Sequence, residues 1–268
     1  MIAKIRINEQ EISSLLEYFL QRVKVSSKDM KKAFDKIEYL HYLRSKISNT
    51  MKVSISTLVS DACPTLRAGI IKANVVNTPT SDELWNELQN EATRIASEFS
   101  TETLSKRPAI AGTRKAYKTF GKDPARYRVS SEALCRRAIR GLDLYRINTL
   151  VDLINVVSMR SGYSIGGFDA DRIEGDMTLG VGTADDVFHG IGRGLLNIEG
   201  MPVYRDNIGG VGTPTSDEER TKITLDTTHL LITINAYAPE MPLEECVQWT
   251  VELLGKYAQA TNIESYII

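Results

Sequence analysis

Residues 148–169 read NTLVDLINVVSMRSGYSIGGFD, and the change of character inside this stretch decides the fold. In its first part, Leu150, Val151, Leu153, Ile154, Val156, Val157 and Met159 spread apolar side chains round almost the whole circumference of a helix. A helix of that kind is buried rather than laid on a surface. Gly162 is placed to end it. From there on glycines crowd in, twelve of them between residues 166 and 212. The pieces between them are short and strand-like, at 177–181, 202–204 and 230–236, which predicts compact β structure joined by tight turns.

Working outward, residues 130–141 predict a helix with Leu134, Ala138 and Leu142 on one side and Arg136, Arg137 and Arg140 on the other. Residues 107–121 predict another, closed by Gly121. Thr80 and Glu83 have the spacing of a capping box before a helix with Leu84, Leu88, Ala92, Ile95 and Phe99 on its apolar face. Residues 53–57 and 67–76 predict strands, 243–258 a last helix and 263–268 a final strand. Helices, then strands, then a helix, without β-α alternation, predict an α+β fold with a β-rich mixed core flanked by helices. Residues 1–50 carry two helical stripes, Ile12 to Val23 and Met30 to Ile47, and predict an N-terminal helical hairpin attached to a main domain at 51–268. The hairpin either packs on that domain or docks on a protein partner.

Bulk properties narrow the function. A net charge of −1 sets up no global field toward nucleic acid or membrane. No run approaches the roughly 18–20 apolar residues of a membrane span, and the N-terminus has no apolar signal core, so a cytoplasmic protein is expected. Cys63, Cys135 and Cys246 are isolated, which predicts core thiols and neither disulfide nor zinc site. Asp169, Asp171, Glu174 and Asp176 fit no calcium loop. No metal and no cofactor is expected.

The neutral average hides a local bias: residues 107–146 hold eleven Lys/Arg and three acids. Arg114 and Lys118 lie four apart, Lys122 just beyond, and Arg136 and Arg140 again four apart, interleaved with Tyr117, Phe120 and Tyr127. This pattern is either a solvated basic face or a surface for RNA backbone and stacked bases. Asn155, inside the apolar helix, must find partners in nearby backbone or in a ligand. Residues 164–169, SIGGFD, form either a tight turn ending in a solvated Asp or a place where Gly166 and Gly167 let backbone approach a ligand and Asp169 takes an ammonium group. The GIGRG run at 190–194 is a turn carrying a surface Arg193 or a nest for phosphate. His189 is the best general base by residue type, but no nucleophile accompanies it; His229 and His41 are weaker. The hexapeptide TPTSDE occurs at 78–83 and 213–218 and reads as one capping solution reached twice.

The segments RKAYK (114–118), GKDP (121–124), SEALCRR (131–137), INTLVDLIN (147–155), GGFD (166–169), GD (175–176) and DEERT (217–221) together resemble the B3/B4 domain of the phenylalanyl-tRNA synthetase beta subunit, in a free-standing form. The likeness runs from about Val53 to Ala260. It implies an α+β domain with an editing pocket: an apolar slot, acceptors for an ammonium and a tyrosyl hydroxyl, and a water positioned at the ester. By this resemblance Asn155 and Asp169 match pocket positions, while Gly166 and Thr233 stand where the synthetase has a pocket His and Glu. The resemblance therefore implies a module that binds an amino acid or the aminoacylated end of tRNA. A trans-editing esterase acting on mischarged tRNA, or a structural subunit docking through the N-terminal helices, are the other readings. Aminoacylation itself is not expected.

Overall fold

The computed structural model describes residues 51–268. The expected N-terminal hairpin and His41 lie outside the described residues. Among the described residues six helices and ten strands follow in order, α and β mixed as expected. Short β1 (Val53–Ile55) leads into α1 (Thr57–Ala62) and β2 (Arg67–Asn74). Four helices come next: α2 (Asp82–Glu98), α3 (Pro108–Thr119), α4 (Ser130–Ile139) and α5 (Thr149–Ser161). Strands β3 (Ser164–Asp169), β4 (Met177–Val181), β5 (His189–Gly190), β6 (Gly194–Leu195), β7 (Pro202–Arg205), β8 (Gly210–Gly212) and β9 (His229–Ala236) precede α6 (Leu243–Ala258) and β10 (Thr261–Ile267).

The helix ends follow local chemistry. Asn148 caps α5 by accepting the Val151 N–H at 3.0 Å, and Gly162 closes it at φ +74°, a left-handed conformation that glycine adopts without strain. At α2 the expected Thr80–Glu83 box does not form. Ser81 is the cap, accepting from Leu84 N, because the Thr80 hydroxyl turns inward to the buried carboxylate of Asp152. The expected strand at 53–57 is shorter, since the chain turns into α1 at Thr57.

Two four-stranded sheets face one another. The first runs β10-β2-β9-β3, antiparallel throughout; the second runs β1-β4-β7-β8, with β1 parallel to β4. The two-residue period of a strand divides the first sheet between two cores. On β9, Leu230, Ile232, Ile234 and Ala236 pack with the apolar faces of α2, α5 and α6. Leu231 and, on β2, Ala68 and Ile70 point the other way, joining Met177, Leu179, Tyr204 and Val211 of the second sheet.

The SIGGFD segment is where the turn reading fails. It is a regular strand, β3, paired with β9 along its whole length, and Asp169 is buried rather than solvated. Its two glycines leave space that neighbouring side chains fill on both faces. A Cβ at Gly167 would lie 2.5 Å from Ile154 Cδ1, and one at Gly166 would lie 2.5 Å from the Phe168 ring. Glycine inside a strand commonly marks such close approach.

Candidate functional site

A small, partly open cleft lies between the two sheets. Its floor on the first sheet is Ser164, Ile165, Gly166 and Phe168 from β3 and Thr233 and Asn235 from β9; Ser164, Gly166 and Phe168 share one face of β3. Leu179 of β4 and Tyr204 of β7 face them, and Gly212, Thr213, Pro214, Asp217 and Tyr237 close the sides.

The Phe168 ring is wedged between two glycines. Cβ atoms built on Gly166 or Gly212 would meet its carbons at 2.5 and 2.6 Å. Around the Phe168 ring stand several polar groups. The Tyr204 hydroxyl donates to Asn235 Oδ1 at 2.7 Å, and Asn235 Nδ2 donates to the Ser164 carbonyl at 3.2 Å, so Asn235 is fixed. Tyr117 and Thr215 share a hydrogen bond at 2.7 Å behind the wall. The Tyr237 hydroxyl is buried and has no partner at hydrogen-bonding geometry, and the Thr233 hydroxyl is buried beside the Tyr204 phenol. Burial raises the phenols of Tyr204 and Tyr237 well above their ordinary range, so both are neutral hydrogen-bonding groups.

Asp217 is the one acid of the cleft lining among the described residues. Burial pushes its carboxyl up to about 7, and the single opposing influence is the Gly167 N–H, a long contact at 3.5 Å from Oδ2. No cation among the described residues contributes to its charge balance.

The B3/4 domain family matches residues 112–244, a span that runs from α3 to the start of α6 and contains the whole cleft lining. The chain carries a B3/4 domain. A solved N-terminal fragment of the phenylalanyl-tRNA synthetase beta-subunit from Pyrococcus horikoshii is similar over 81% of this chain and 50% of that one, at 14% identity and a TM-score of 0.39. The chain thus spans half the length of that fragment. No curated protein matches.

Within the B3/4 domain, the residues singled out from sequence fall in three places. Gly166 and Thr233 lie in the cleft and oppose each other in register across β3 and β9. Gly167 and Asp169 alternate with the cleft-facing residues of β3, and neither lines the cleft. A side chain at Gly167 would run into Ile154 of α5. Asp169 accepts from the Thr227 hydroxyl at 3.0 Å and the Asp171 N–H at 3.1 Å, and burial raises its carboxyl above the usual range. Asn155 is half-buried on α5 and does not reach the cleft. Arg193 is exposed at the turn between β5 and β6, and the same turn is bonded to the cleft wall through Ile191 N to Asp217 O, 3.1 Å. His189 is exposed, 3.9 Å from Glu218. Among the described residues no group of three or more His, Cys, Asp or Glu could hold a metal ion.

The basic segment also divides. Glu132 is fully buried and accepts from Arg114 and Arg136, both at 2.8 Å. Lys122 is buried, donates to the Asn197 carbonyl at 2.9 Å and sits 3.9 Å above the Tyr127 ring. These three cations serve the fold; Lys118 and Arg140 are exposed.

Sequence reasoning misses Asp217 because it sits in the repeated hexapeptide. The first copy does cap a long helix. The second is a tight turn in which Thr213 Oγ1 accepts from Thr215 N and Ser216 N, while Glu218 caps a single 3-10 turn. The distinguishing signal lies downstream of each copy: an apolar stripe after the first, none after the second.

Proposed function

We propose that the cleft of this B3/4 domain binds an amino acid, either free or as the aminoacylated end of a tRNA. The observation that carries this reading is the unpartnered buried Tyr237 hydroxyl, which shares the cleft lining with the Thr233 hydroxyl, the Asp217 carboxyl and the Phe168 ring. Each unpaired buried hydroxyl costs about 1–3 kcal/mol, which a ligand bringing complementary groups would recover. An apolar lining with a few convergent polar groups is the usual make-up of a small-molecule site. Binding is favoured over ester hydrolysis because Gly166 and Thr233 supply neither the imidazole nor the carboxylate that the family resemblance would place there.

The test is a thermal-shift screen against the twenty L-amino acids and their amino alcohols. At least one compound raises the midpoint. Tyr237→Phe weakens that compound by about 3- to 10-fold, the worth of one neutral hydrogen bond, without lowering the stability of the free protein. A screen with no shift removes the reading, and release of amino acid from any mischarged tRNA would favour the esterase instead.

The exposed Lys118 and Arg140 support a contact with RNA backbone. If tRNA is bound, K118E/R140E weakens the gel shift at low salt and reduces the salt dependence by roughly 0.7–0.9 in log–log slope for each lost phosphate contact. Arg114→Gln should act through stability instead, because that side chain is committed to Glu132.

A further inference from the structure

We infer that strand β10 is an interface with a second copy of this chain, the two β10 edges pairing antiparallel about a two-fold axis at Tyr266 to make one continuous sheet.

Sheet edges are ordinarily kept short, covered or charged, because their free N–H and C=O groups can pair with another chain. The other edges of this fold follow that pattern. β1 has three residues, Gly212 of β8 is bridged to Asp217, and the Gly167 N–H of β3 reaches Asp217 Oδ2. β10 does not follow it. It runs seven residues and pairs on one side alone, with β2. A bulge disturbs it only between Thr261 and Glu264. Ile268 and Ala68 exchange both backbone bonds, at 3.0 and 2.9 Å. The alternation of an antiparallel ladder then turns the backbone of Glu264 and Tyr266 toward β2 and that of Ser265 and Ile267 outward. Among the described residues nothing takes up those outward groups. The strand has no proline or lysine, and its one charge, Glu264, is already matched by Lys72 at 3.2 Å.

The occupant follows from the symmetry of the regular part. An axis at Tyr266 sets Ser265 opposite Ile267 of the other copy, and Ile267 opposite Ser265, so every outward group of residues 264–268 gains a partner. Tyr266 faces its own copy as an aromatic cross-strand pair, and Glu264 faces Ile268, so no like charges meet. The helix layer leaves room for the approach. α6 is held to α5 by Arg160 over Trp249 at 4.3 Å and to α2 by the Tyr257 hydroxyl on Glu87. Its opposite flank carries Val251 and Gly255, where an added Cβ meets nothing within 4 Å among the described residues.

Sedimentation of the full chain between about 1 and 100 μM tests this. Wild type associates to a dimer. Ser265→Pro removes only an outward N–H, so it leaves the pairing with β2 and the far-UV spectrum intact while raising the dissociation constant by roughly tenfold or more. Tyr266→Cys in a Cys63→Ser background forms a disulfide-linked dimer on mild oxidation, since the axis brings the two Cα atoms to about 4.5 Å. That variant decides the matter should the proline unfold the strand. A wild-type chain that stays monomeric at the upper concentration, a dimer equally tight in Ser265→Pro, or no linkage in Tyr266→Cys overturns the inference.

Discussion

Glu132→Ala lowers the unfolding free energy by about 2–4 kcal/mol, the largest loss expected from any single change in the basic segment. Glu132 is wholly inaccessible, on the buried side of α4, and its two oxygens accept from Arg114 of α3 and Arg136 of α4. Arg128 approaches the same carboxylate at 3.9 Å. Removing the acid leaves three guanidinium groups converging on a buried void. The cost stays short of that of a fully buried broken pair because the arginines keep some access to water and can turn outward. For a protein of this size the midpoint should fall by roughly 2–4 °C per kcal/mol. Glu132→Gln, which keeps one acceptor and loses the charge, should cost less. Equal stability of Glu132→Ala and wild type in chemical denaturation would show that α3 and α4 are held together without this carboxylate.

Asp217→Asn is expected to stabilise the free protein, and only above mildly acidic pH. In the unfolded chain this carboxyl loses its proton near pH 4. In the fold it does so at about 7. Below about pH 4 both states hold the proton and the group is silent. Between the two values the fold keeps a proton that the unfolded chain has given up, so stability falls as pH rises. Above about 7 the penalty is complete. Three units amount to about 4 kcal/mol as a ceiling. Asp217 retains some solvent contact, which brings the expectation to about 1–3 kcal/mol. The advantage of the variant should therefore be absent near pH 4, grow through pH 5 and 6, and level off above 7. Denaturation at pH 4.5 and 8 is enough to check it. A gain of the same size at both values would mean that the change acts through packing rather than charge.

How far the sequence can be read depends on how local each signal is. The α5 helix is legible to its last residues because Asn148, the apolar circumference and Gly162 all act within one element. Strands β4 and β7 declare themselves as short pieces between glycines, and β9 as a continuous Leu/Ile-rich run. β3 does not, because the space at its two glycines is taken by Ile154 of α5, Thr233 of the neighbouring strand and Phe168 two residues along the same face, contacts that no local pattern reveals. The same blindness to facing divides the candidate site. Gly166 and Gly167 are adjacent in sequence, yet a side chain on one would point into the cleft and on the other into helix α5. Asp169 follows Gly167 to its own buried hydrogen bonds, while Asp217, fifty residues away from Gly167, is brought to the cleft by the pairing of Gly212 with Asp217. In the basic segment, spacing identifies which cations share a helix face but not that buried Glu132 draws Arg114 and Arg136 inward.

The Phe168 ring between Gly166 and Gly212 makes three positions answerable to one another. A single side-chain torsion at 168 governs how deep the cleft is, because the ring fills the volume that a side chain at 166 or 212 would need. A histidine at 166 is compatible with this backbone only alongside a smaller residue at 168, or with the ring swung elsewhere. Among chains built on the same frame, bulk at these three sites should therefore be traded rather than added, and the occupant of the slot, ring or ligand, should be readable from residue 168 alone.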